Sequence, residues 1–157
     1  MIALIQRVNS ASVKVSNKTI SKINSGILIL LGIRNDDGNI DVDYLASRIE
    51  SLKIMQEGEN HFAKNLIESN SQIMLVSQFT LYANLKKGSK PSFTDAMNGK
   101  DAKILYHKLG RSLEDRGYAV SYGEFGALMQ VELINDGPVT FILTSDHLKD
   151  KNKELID

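Results

Sequence analysis

The chain has 157 residues, the size of one domain of roughly 100–200 residues, and such a chain buries about 70% of its unfolded surface without a disulfide or metal staple. It contains no cysteine, which excludes disulfides, zinc–thiolate sites, iron–sulfur ligation and thiol nucleophiles and suits a reducing compartment. Its 19 basic and 19 acidic residues cancel, so a broad non-specific grip on nucleic acid is not expected, while a small local phosphate contact is compatible with the balance.

Residues 1–8 are apolar apart from Gln6 and Arg7 and lack the basic start, long apolar run and small-residue cleavage site of a signal peptide. Residues 11–15 alternate small or apolar side chains with Ser12 and Lys14 and predict a half-exposed strand. Residues 26–33 are apolar on both faces and predict a central buried strand. They hold the longest apolar run, far short of the roughly 20 residues of a membrane span; the expectation is a cytoplasmic protein with no membrane partner. The turn Asn35-Asp36-Asp37-Gly38-Asn39 offers side chains to cap a following helix. Val42, Leu45, Ala46, Ile49 and Leu52 recur at the helical period and define its buried stripe.

Ile73-Met74-Leu75-Val76 predicts another buried strand, running straight into Ser77-Gln78-Phe79-Thr80-Leu81, where polar and apolar residues alternate. A second helix is expected over about residues 99–116, with Ala102, Leu105, Tyr106, Leu109 and Leu113 as its stripe and Gly117 as its C-terminal cap. Ala127, Met129, Val131 and Leu133 alternate with polar residues as one more strand. Asn135-Asp136-Gly137-Pro138 breaks it, and residues 139–144 resume as strand. From Asp146 onward the chain is mostly charged and reads as a mobile tail or a short appended helix, leaving a domain over 1–145 and a tail over 146–157. Strands outnumber helices and separate them, so the class is α/β or α+β with a mixed sheet.

His61, His107 and His147 have no recognisable serine or acid partner, no nucleophile elbow or phosphate-binding glycine loop occurs, and no spacing suggests a metal or cofactor. Two segments stand out. Ser77-Gln78-Phe79-Thr80 sets hydrogen-bonding side chains directly after four core residues, and chemistry tends to sit where a rigid strand gives way to a loop; a strand end that satisfies its own backbone is the alternative. Asn135-Asp136-Gly137-Pro138-Val139-Thr140 holds one of the two prolines between strand-like runs, where an ordinary turn would serve as well. In addition, Lys86, Lys87 and Lys90 gather in one loop, to hold phosphates near the first segment or simply to be solvated.

Taken together, the chain resembles the D-aminoacyl-tRNA deacylase family of the bacterial and eukaryotic type. The resemblance runs in order through Met1-Ile2-Ala3-Leu4-Ile5-Gln6-Arg7-Val8, Ala11-Ser12-Val13, Gly26-Ile27-Leu28, Ser77-Gln78-Phe79-Thr80-Leu81, Lys90-Pro91-Ser92-Phe93, Phe125-Gly126-Ala127-Leu128-Met129-Gln130-Val131 and Asn135-Asp136-Gly137-Pro138-Val139-Thr140. It implies an α/β fold, a mixed twisted β-sheet with two main helices in a single domain, assembled as a homodimer whose subunits share the interface site. It further implies hydrolysis of the ester joining a D-amino acid, or glycine mischarged on tRNA-Ala, to the 3′ end of tRNA, with no DNA partner. Ser77, Gln78, Phe79 and Thr80 would form the catalytic wall. Gly137 and Pro138, as a cis pair locked with the help of Arg7, would reach in from the partner subunit, and Phe125 and Met129 would contact substrate. Thr80 has two readings, nucleophile or positioning group beside an attacking water; a hydroxyl nucleophile needs an activating base. Lys90 stands where the family often has arginine, which keeps charge but loses the planar fork. A tRNA-binding module without catalysis would leave every ester intact, and a purely structural dimer would lose only stability on substitution of Thr80 or Pro138.

Overall fold

The computed structural model describes residues 1–86 and 88–148. Its elements in chain order are β1 (Ile2–Val15), β2 (Lys18–Ile23), β3 (Gly26–Gly32), α1 (Asn39–Ser51), β4 (Met55–Glu57), β5 (Asn60–Lys64), β6 (Gln72–Ser77), a single-turn 3-10 helix (Phe79–Tyr82), α2 (Gly99–Glu114), β7 (Val120–Tyr122) and β8 (Met129–Thr144). The main sheet is mixed: β3, β6 and β7 are parallel neighbours, and β1 runs antiparallel to β2, β3 and β8. β4 and β5 form a separate two-stranded ribbon.

The continuous apolar runs of β3 and β6 are explained by their place at the sheet centre. The helices cover one face, where Val42, Leu45, Ala46 and Ile49 of α1 and Tyr106, Leu109 and Leu113 of α2 pack on Ile27, Ile29, Ile73 and Leu75. A smaller apolar cluster forms on the opposite face, from Val8, Val13, Ile23, Leu28, Met74 and Val76, with Met129 and Val131 packed against it. β3 and β6 approach so closely at Gly26 that a Cβ there would fall 1.9 Å from the Gln72 carbonyl oxygen; no side chain fits.

Three expectations need correction. The segment Asn135-Asp136-Gly137-Pro138 does not break the last strand: β8 runs through it, and the disturbance is taken up as register shifts opposite Gln6, Val8 and Ser10 of β1, as a bulge absorbs a residue that cannot join the ladder. Ala127 lies in a turn, its N–H bonded to the Glu124 carbonyl at 3.1 Å, and the strand starts at Met129. The strand end expected at residues 77–80 is present: β6 stops at Ser77, and the chain turns into the 3-10 helix. No side chain of the 35–39 turn caps α1: Gly38 is the N-cap and its N–H donates to Asp41 at 2.8 Å. Asp37 instead meets the buried α-ammonium of Met1 at 2.8 Å, with the Ser145 hydroxyl 2.7 Å from that ammonium on its other side.

Of the charged tail, Asp146 lies 3.4 Å from Arg34, and the His147 ring packs edge-on to Tyr44 at 4.7 Å. The rest of the expected tail or helix, from residue 149, lies outside the described residues. No helix among the described residues is long and apolar enough to cross a membrane.

Candidate functional site

In a parallel sheet the carboxyl ends of the strands and the loops that follow them form the usual crevice for a ligand. Here β3, β6 and β7 end together, and a cavity of about 330 Å³ opens beyond them. Leu31 and Ile33 line it at the end of β3, Ser77, Gln78 and Phe79 at the end of β6, and Phe125 and Gly126 beyond β7. The start of α2, at Gly99 and Ala102, closes one side, and Phe93 closes another. Gln78 is fixed by its backbone, whose N–H donates to the Leu31 carbonyl at 2.7 Å. Its side-chain Nε2 donates to the Thr80 hydroxyl oxygen in a short contact. Phe79, 57% exposed, stands edge-on to Phe93 with ring centroids 4.9 Å apart. A second opening behind it is lined by Ser77, Gln78, Leu128 and Met129. Ser77, Gln78, Phe79, Phe125 and Met129 are thus gathered around one strand end, with Thr80 tied to Gln78.

The chemistry available there is polar and uncharged. Behind the lining residue Phe125 lies the buried Tyr106, whose hydroxyl donates to the Leu75 carbonyl at 2.7 Å and whose ring meets Phe125 at 5.4 Å. Burial pushes its ionisation well above the ordinary range of tyrosine. Tyr82, at the end of the 3-10 helix, is raised by burial and then by the charges of Asp37 and Asp146. Both phenols therefore stay protonated at neutral pH and provide no base. The histidines sit elsewhere: His107 against Tyr106 and Tyr122 on the helix side, His147 against Tyr44, and His61 in β5. Among the described residues no three His, Asp or Glu side chains converge to hold a metal.

Gly137 and Pro138 occupy a different place. They line a cleft of about 440 Å³ with Arg7, Asp136, Gln56, His61 and Phe62. The Gly137-Pro138 peptide is cis. Arg7 lies beneath it, 2% exposed, and its NH1 donates to the carbonyls of Ile54 at 2.9 Å and His61 at 2.8 Å. Its Nε is 2.9 Å from an Asp136 carboxylate oxygen. The Asn135 side chain accepts from the Val139 N–H at 3.0 Å and donates to Thr140 at 3.0 Å, so the backbone on both sides is braced. Gly137 adopts φ +127, and a Cβ there would lie 2.7 Å from a Val139 methyl and 2.9 Å from its nitrogen. Within one chain the two motifs therefore open onto separate cavities.

Sequence reasoning missed the ribbon β4–β5 and with it the two carbonyls that hold Arg7. The signal was faint, because those strands have three and five residues and are largely exposed.

The family model for D-Tyr-tRNA(Tyr) deacylase matches residues 4–144 of this chain. A D-aminoacyl-tRNA deacylase of Thermodesulfovibrio yellowstonii is 46% identical over 145 residues, covering 92% of this chain and 99% of that protein. One from Thermosipho africanus is 43% identical, covering 92% and 97%. Among solved structures, the c-Myc DNA Unwinding Element Binding Protein superposes with a TM-score of 0.86 at 38% identity, covering 92% of this chain and 99% of that one. With a family model spanning nearly all of the described domain, and relatives this similar over their whole length, the chain belongs to the D-Tyr-tRNA(Tyr) deacylase family.

Proposed function

We propose that the protein hydrolyses the ester between a D-amino acid and the 3′ end of tRNA, at a site made by two copies of the chain. One copy supplies the strand end 77–80, and the other supplies Gly137 and Pro138. The observation that carries this reading is the separation of the two motifs: in a single chain they line two different open cavities. Exposed apolar side chains support a second copy. The helices cover one face of the sheet, while Leu128 is 94% exposed and Ile142 on β8 is 71% exposed, which suits burial against a second copy.

In this reading a water oxygen attacks the ester carbonyl, the bond to the ribose oxygen breaks, and that oxygen takes the proton. Free amino acid and tRNA leave. Backbone N–H groups near Phe79 and Thr80 stabilise the carbonyl oxygen as it gains charge, worth ~10²–10³-fold per donor. Thr80 acts as a positioning group. Its oxygen receives a hydrogen bond from the Gln78 amide, and an amide donor cannot withdraw the proton that a nucleophilic hydroxyl must lose. The wall of the partner's Gly137 and Pro138 selects by collision. Main chain held by Arg7 and Asn135 cannot rotate aside, so an L side chain strikes it, a D side chain points away, and glycine passes. The same wall reads nothing of side-chain identity, which fits action on several D-amino acids and on glycine mischarged on tRNA-Ala.

The test is a hydrolysis assay on D-Tyr-tRNA, L-Tyr-tRNA and Gly-tRNA-Ala, with sedimentation equilibrium at the same protein concentration. Loss of the D and glycyl esters with the L ester spared, at the mass of two chains, is expected. Equal rates on the two tyrosyl enantiomers would overturn the selection by collision; full activity at the mass of one chain would overturn the shared site.

A further inference from the structure

The loop between the 3-10 helix and α2 is electrically unlike the rest of the chain. The protein as a whole is neutral, yet no acidic residue occurs from 69 to 94, a stretch that holds Lys86, Lys87 and Lys90. Across residues 84–104 five lysines stand against two aspartates. The loop is also built. The Asn84 N–H donates to the Ser92 carbonyl at 2.7 Å, the Ser92 N–H returns to the Asn84 carbonyl at 3.1 Å, and the Lys86 N–H donates to the Asn84 side chain at 3.0 Å. This clasp hands the chain directly to Phe93, which borders the cavity beside Phe79.

Lys100 and Lys103, one turn apart on α2, follow Gly99 and Ala102, which line the same cavity. Lys100 sits in the first turn, where the helix dipole disfavours a cation. Asp101 is occupied by the cap, its backbone and side chain both bonded to Asn98, and Asp95 is the one other acid in the segment. Lys86, Lys90, Lys100 and Lys103 are all exposed. None is within salt-bridge distance of a carboxylate among the described residues, whereas Lys14 and Lys64 elsewhere are paired. A cation in the first turn of a helix that borders the cavity, and a clasped, acid-free loop that leads into Phe93 on its rim, suit an external polyanion.

We infer that Lys86 and Lys90, together with Lys100 and Lys103, hold the phosphodiester backbone of the tRNA acceptor strand just upstream of its reacting 3′ end. The inference rests on the proposed hydrolysis at the strand end 77–80: with the ester inside the cavity, the preceding phosphates must leave through its mouth. The grip reads charge and not sequence, since phosphate contacts fix register without base recognition. It also explains how a chain of zero net charge handles a nucleic acid, by segregating charge instead of accumulating it.

The experiment measures binding of uncharged tRNA by fluorescence anisotropy between 50 and 200 mM KCl. The Lys86→Ala/Lys90→Ala double variant is expected to lower the slope of log affinity against log salt by ~1.4–1.8, from ~0.7–0.9 for each phosphate that is no longer neutralised, with affinity at low salt falling about tenfold. Lys86→Arg/Lys90→Arg keeps the slope. In hydrolysis the alanine variant raises KM for D-Tyr-tRNA, leaves kcat in place, and leaves kcat/KM for the D-tyrosyl ester of adenosine, which has no phosphate, at the wild-type value. An unchanged salt slope overturns the inference, as does an equal loss on tRNA and on the adenosine ester. A wild-type protein that cleaves neither ester would count against the proposed hydrolysis, while the binding measurement would still decide the lysines.

Discussion

The strand end 77–80 and the segment 135–140 carry the two motifs, and they are held in opposite ways. The first is the terminus of a central parallel strand, fixed from behind by a buried core and leaving exposed side chains in front. The second lies midway along an edge strand, where the ladder to β1 is irregular and a buried side chain, Arg7, holds the backbone from below. A site can thus be made rigid by the sheet itself, or by one cation where the sheet falters. The two should respond differently to substitution: at 77–80 function separates from stability, and at 135–140 the two move together.

The largest effect is expected at Arg7. Arg7→Met leaves the Ile54 and His61 carbonyls without their donor and Asp136 without its cation, which costs about 3 kcal/mol in urea unfolding. The preference for D over L esters should fall in the same variant. Unchanged stability would mean that the edge strand holds itself, and the contrast with the strand end would collapse.

Thr80→Val sharpens the other half. Thr80 is exposed, so its loss should alter stability by less than about 0.5 kcal/mol, while kcat on D-Tyr-tRNA falls ~10²-fold through misplaced reacting groups. A matching drop in melting temperature would show that the strand end is braced by its side chains after all.

The smallest effect is a pH dependence that belongs to the core behind the strand end. Burial raises the hydroxyls of Tyr82, Tyr106 and Tyr122 above their ordinary value near 10. The folded state therefore keeps protons that the unfolded chain releases. Their contribution is fully present below pH 10 and is lost as pH rises beyond it. Thermal melts should be flat in this respect below pH 10 and fall above it, and Tyr106→Phe should soften the fall. A tyrosine titration near pH 10 in the folded protein for all three would break the account.

The regular elements could be read because their physics is local. Val42, Leu45, Ala46 and Ile49 recur at the helical period, and all four are buried in α1; the unbroken apolar run at 26–33 is a central strand because only burial on both faces tolerates it. The polar residues following β6 marked a strand end for the same reason. Short elements such as β4, β5 and β7, of three to five residues, were too brief for a period to emerge.

What the sequence by itself determined is the pair of helices, the buried strands and the two unusual polar segments, each written in the spacing of neighbouring side chains. Only the tertiary structure decided that Arg7 braces Gly137 and Pro138 through carbonyls 47 and 54 residues away. It also decided that the Met1 ammonium is enclosed by Asp37 and Ser145, and that the two motifs face different cavities of one chain. Such contacts depend on where distant backbone atoms meet, and a carbonyl oxygen is the same in every residue, so no pattern of side chains announces it.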